Sequence, residues 1–208
     1  MWRFVIVLIA VLGVSVPAPA RACGVCIDLP ERTLADQLLS ADAVVLARPS
    51  EGDPFRFAPV ELIEGSPDAV VAADPIPFIV DTATRRTLAN DPDGRILMAL
   101  EDGTWSRLIY YKDDRVGVVD EILFHGRHWA PGDTRNAHRL AFFAELHRSD
   151  DRVLQNAGLA EIARASYAMI RRIETPLSAS VIRGRLIELE SIPYASVLIL
   201  LLGLSDDP

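Results

Sequence analysis

The period of the apolar residues changes near residue 130, and that change dictates what the chain can build. Up to Phe124 they come in short β-branched and aromatic runs, separated by turn residues. Such runs are "AVVLAR" at 43–48, "FRFAPVELIE" at 55–64, "IPFIVD" at 76–81, "RILMAL" at 95–100, "TWSRLIYY" at 104–111 and "RVGVVDEILF" at 115–124. Each reads as a strand; Pro59 marks an edge or a bulge, and "EDG" at 101–103 closes a hairpin. Two helical pieces interrupt this half: 30–40, with Leu34 and Leu38 one turn apart, and a turn over 82–90. "GSPDAVVAADP" at 65–75 reads as a loop. After the Gly/Pro-marked junction 125–134 the apolar residues recur every three or four positions. This predicts helices over 135–148, 152–165 with Asp150 or Asp151 as cap, 167–173, 178–189 and 192–204. The expected class is α+β: a small antiparallel β-barrel over 23–130, then a stack of helical hairpins over 131–208.

The first 22 residues read as a secretory signal. Arg3 is a short positive start, Phe4 to Val16 an apolar stretch, and "ARA" at 20–22 a cleavage site that leaves Cys23 first. The apolar stretch is too short for a membrane span, which needs about 20 residues. A lipoprotein signal is the alternative, since Cys23 follows the small Ala22, but Ala20 and Arg21 stand where such signals carry other residues. Cys23 and Cys26 are the only cysteines, and in an oxidising compartment they are expected to join as a disulfide. Thiol exchange would place the pair at a helix start behind a strand, whereas here the helix begins near Pro30. Metal or lipid attachment through the same cysteines stays open.

Cleavage also removes Arg3 and Arg21, taking the net charge from −8 to −10. An acidic chain is a poor match for nucleic acid, which clustered cations bind. All four histidines fall between 125 and 147, and "HGRH" makes His125 and His128 the candidate metal ligands, with Asp133 or His138 as a third. His138 and His147 lie nine residues apart, on opposite faces of the expected helix. "NDPDG" at 90–94 lacks the acidic ladder of a calcium loop and reads as a solvated turn. Trp105, Trp129, Tyr110 and Tyr111 are expected in the core. The chain carries no G-x-S-x-G, no S-x-x-K and no phosphate loop, so no catalytic residue and no cofactor is assigned.

"CGVC…LADQLLSADAVVLARP…FRFAPVELIEGS" resembles bacterial secreted modules with a netrin-like, OB-type barrel, the barrel also found in tissue inhibitors of metalloproteinases. Residues 136–205 resemble HEAT-like helical repeats. The first resemblance implies an N-terminal Cys23 whose amine and carbonyl could chelate a protease's zinc; the family opens with Cys-x-Cys and more cysteines, whereas here the spacing is Cys23-x-x-Cys26. The expectation is an exported, periplasmic or secreted, non-enzymatic binding or scaffold protein whose partner is another envelope protein. Redox or metal chemistry at Cys23 and Cys26 is the alternative. The apolar run 192–204 is expected to pack on the preceding helices or the barrel, or to meet a partner or second copy.

Overall fold

The computed structural model describes residues 29–91, 93–173 and 178–205. Among them, helix α1 (Leu34–Leu39), strands β1 (Ala43–Pro49) and β2 (Arg56–Gly65), helix α2 (Pro67–Ala72), strand β3 (Ile76–Pro77) and helix α3 (Thr82–Asn90) come first. Strands β4 (Arg95–Glu101) and β5 (Thr104–Tyr111) and helix α4 (Asp113–His125) follow. Helices α5 (Ala137–Glu145), α6 (Arg152–Arg164), α7 (Tyr167–Ile170), α8 (Ala179–Leu186) and α9 (Ala195–Gly203) complete the order. The class is α+β.

The five strands form one antiparallel sheet, ordered β3-β2-β1-β4-β5 and curled into a half-barrel. β1 and β4 lie at its centre and read as unbroken apolar runs because both of their faces are covered. Alternation sorts the side chains. Val45, Ala47, Ile96, Met98 and Trp105 face α2 and α3, whereas Val44, Leu46, Leu97, Ile109 and Tyr111 face α1, α4 and α5. The β4–β5 turn at Asp102–Gly103 has positive φ at both residues (49° and 74°), which suits a tight two-residue hairpin. β3 covers only Arg56 and Phe57, so β2 has an open edge beyond them. Pro59 sits on that edge beside a register shift, where its missing N–H costs nothing. Gly65 (φ 96°) lies against Asp42, whose carbonyl oxygen would be 2.2 Å from an added Cβ.

Three segments depart from the expected pattern. Residues 115–124 form α4, not a strand: Val119 and Ile122 are fully buried and Arg115 nearly so, on one side of a helix. The β-branched run suggested a strand, but these three at i, i+4 and i+7 carry the helical period. Residues 67–72 are helical, not loop, with Ser66 Oγ accepting from the Asp68 N–H and Pro67 in the first turn. The expected strand 76–81 shrinks to two residues.

The helical half begins with α5 and α6, which pack closely at Gly158. A Cβ there would lie 2.5 Å from the Phe143 carbonyl oxygen, a backbone atom. Gly158→Ala gains about 1 kcal/mol of helix propensity but overpacks this contact, and is expected to destabilise the protein by about 1–2 kcal/mol net. A lower urea midpoint at unchanged slope is the readout. A third apolar cluster joins Leu140 and Ala144 to Leu159, Ile162, Ile182 and Leu198. α9 buries Val197, Leu198 and Leu201 there, so the apolar C-terminal run packs on the helices before it. No single helix among the described residues is long and apolar enough to cross a membrane. Phe143 packs with α1, the sheet and α4, so one core crosses the junction near residue 130.

Candidate functional site

Asn136 starts α5, its Oδ1 accepting the His138 and Arg139 N–H groups, each at 3.1 Å. This cap sets which α5 residues face inward. Arg139, Leu140, Phe143 and Ala144 are buried, whereas Ala137, His138, Ala141 and Glu145 are exposed and Phe142 is half-buried.

On one side of that exposed face a groove of about 300 Å³ separates α5 from the chain at 169–173. Leu140 and Ala144 form its floor, Met169 and Ile173 its far wall, and the exposed Glu145 and Arg172 its rim. On the other side stands a wall of rings. His125 stacks on the buried Trp129 at 5.4 Å and lies 5.7 Å from His138. Phe142 packs against Trp129 at 5.5 Å, and Phe124, 67% exposed, touches His125 at 5.3 Å. His125 Nε2 lies 3.1 Å from Glu121 Oε2, one helical turn back.

The two imidazoles of "HGRH" are therefore not brought together. His125 joins the ring wall with His138, while His128 stands exposed and its carbonyl accepts from Asn136 Nδ2. Asp133 accepts the Arg135 N–H instead of facing them. Among the described residues no group of three His, Cys, Asp or Glu side chains is placed to hold a metal ion. Ala22, Cys23 and Cys26 lie outside the described residues. Trp105, Trp129 and Tyr111 are core residues as expected, with Trp105 Nε1 donating to the Ala73 carbonyl.

Beneath the α5 face lies a buried charge network that the sequence reading does not single out. Arg139, 2% exposed, donates through Nη2 to Asp36 Oδ1 and Glu161 Oε1, both at 2.6 Å, and through Nε to Glu161 Oε2 at 3.0 Å. Asp36 also accepts the Gly132 N–H at 2.8 Å and pairs with Arg164 at 3.1 Å. Burial alone would raise the Asp36 pKa, but the Gly132 N–H, Arg139 and Arg164 outweigh it and hold the carboxyl below its ordinary value. A second bridge joins Arg115 to Asp151 at 2.8 Å, and Asp151 also caps α6 by accepting the Val153 N–H. Burial raises the Asp151 pKa, and Arg115 with the Val153 N–H overcomes it, leaving it lowered. The only sequence signal for these groups is a charge set within an apolar stripe: Asp36 between Ala35 and Leu38, Arg139 beside Leu140, Glu161 between Ala160 and Ile162. Their effect is to bolt α5 and α6 to α1 and α4, so the exposed α5 face sits on a fixed support.

Comparison of the chain with protein families, curated proteins and solved structures finds no match.

Proposed function

We propose that this chain is an exported, non-enzymatic binding module of the cell envelope, in which an OB-like half-barrel carries HEAT-like helices. Its α5 face takes an apolar segment of a partner polypeptide. The groove carries this reading: an apolar floor and wall, with one carboxylate and one guanidinium at the rim. Burying a partner's apolar side chain on such a floor is worth roughly 1.5–3 kcal/mol each. The rim charges would favour a segment bearing polar groups of both signs beside its apolar residues. The buried bridges under α5 support the reading because a pre-organised surface spends less of its binding energy on ordering.

A photo-crosslinking residue at exposed Ala141, in the exporting cell, is expected to trap one discrete polypeptide, and the same residue at exposed Glu61 on β2 to trap none. Met169→Glu, placing a charge on the groove wall, is expected to reduce the Ala141 adduct at least tenfold. No adduct from Ala141, or equal adducts from both positions, overturns the reading.

A further inference from the structure

A second groove, of about 510 Å³, lies on the far side of the sheet between the turn after β1 and helix α3. Its bed is fixed by stacking: Phe78 lies on the buried Phe57 at 4.7 Å, and the Phe78 N–H donates to the Phe55 carbonyl at 3.0 Å. Leu88, 6% exposed, closes the bottom, and Phe55, 77% exposed, stands at the mouth. Arg85 lines the same groove with its guanidinium carbon 5.4 Å from the centre of the Phe78 ring.

The nearest acids to this groove are already paired. Asp53 pairs with Arg56 at 3.0 Å, Glu51 with Arg48 at 3.7 Å, and Asp81 with Arg107 at 2.8 Å. Among the described residues no ion pair engages Arg85, although the chain as a whole carries a net charge of −8. An arginine held on an aromatic ring keeps its fork of N–H donors, which matches a carboxylate in two places. Arg85 is exposed at the groove's edge, so the apolar bed contributes by burying a ligand's tail beside that contact. A volume of this size falls in the range of small-molecule sites.

From the unpaired Arg85 beside the Phe55–Phe78 bed, we infer that this groove binds a small carboxylate with an aromatic or branched apolar tail. The carboxylate sits on Arg85 and the tail lies between Phe55 and Phe78. This site is separate from the α5 face and stands or falls independently of it.

Calorimetric titration of the full chain with 3-phenylpropionate and with its neutral amide, 3-phenylpropanamide, tests the inference. The acid is expected to bind at least tenfold more tightly than the amide. Arg85→Gln is expected to abolish that preference while leaving amide binding within about twofold. Arg86→Gln, the same charge change one residue on, is expected to keep it. Phe55→Ala, at a side chain too exposed to support the core, is expected to weaken both ligands several-fold. Equal binding of acid and amide, an unchanged preference in Arg85→Gln, an equal loss in Arg86→Gln, or no saturable binding of the acid each overturns the proposal.

Discussion

Arg139→Ala is expected to remove about 3–5 kcal/mol of stability, the largest effect of any single change considered. The guanidinium is 2% exposed, and the carboxylates of Asp36 and Glu161 are buried with it. Truncation does not affect the two acids equally. Asp36 keeps Arg164 and the Gly132 N–H. Glu161 loses both of its bonds to Arg139, Oε1 at 2.6 Å and Oε2 at 3.0 Å, and is left as a charge in the core. For a chain of this size the loss corresponds to a fall in Tm of roughly 10 °C. The arrangement also makes a second expectation. Arg139→Met combined with Glu161→Met removes the stranded carboxylate and should recover more than half of the loss, because apolar groups of similar volume replace buried ion pairs at little cost. Urea unfolding of the three proteins checks both. A single variant within 1 kcal/mol of the parent would refute the first expectation, and a double variant no better than the single would refute the second.

Between pH 6.5 and pH 4 the protein is expected to lose about 3 kcal/mol of stability through one side chain, His147. His147 is 1% exposed; Nδ1 lies 3.2 Å from Arg185 Nη1, and Nε2 is buried with no hydrogen-bond partner among the described residues. Burial first, and then the Arg185 charge, push its pKa down to about 4. Arg185 in turn feels the charge of Arg152, which pairs with Glu188 at 2.7 Å. In the unfolded chain the imidazole titrates near its ordinary value of about 6.5. Between the two values the unfolded state holds a proton that the folded state refuses, so stability falls as the pH drops through that window. Below about pH 4 the histidine adds no further slope. Asp36 and Asp151 then act in the same direction, since their folded pKa values are depressed and their contribution fades as they protonate. His147→Gln keeps an acceptor for Arg185 and removes the titration. It should flatten the stability profile between pH 6.5 and 4 and leave the acid limb below it. Unfolding midpoints at pH 7, 5.5 and 4 decide the matter, and an equal slope in the variant would refute the assignment.

Much of the fold can be read from short-range pattern. The β1, β2, β4 and β5 runs, the Asp102–Gly103 turn and the Asp151 cap all carry local signals, and each is found where the signal lies. α4 was not legible in this way. Val116, Val118 and Val119 favour a strand by propensity, and only packing of Val119 and Ile122 under the sheet makes the helix the better solution. The histidines show the same limit. His125, His128 and His138 are close in sequence, but which two share a surface depends on how the chain turns through Gly126–His128 and Trp129 enters the core.

By itself the sequence determined the α+β class, the β4–β5 hairpin, the cap of α6 and the helical period of the C-terminal half. Those follow from backbone preference and periodicity over a few residues, which no distant contact has to supply. The tertiary structure alone decided that Arg139 meets Asp36 across 103 residues and Glu161 across 22. It also decided that Arg185 faces a histidine, and that Arg85 rests on Phe78. A charge in a sequence has no partner until the chain closes around it, because electrostatic and packing energies depend on distances that only the fold sets.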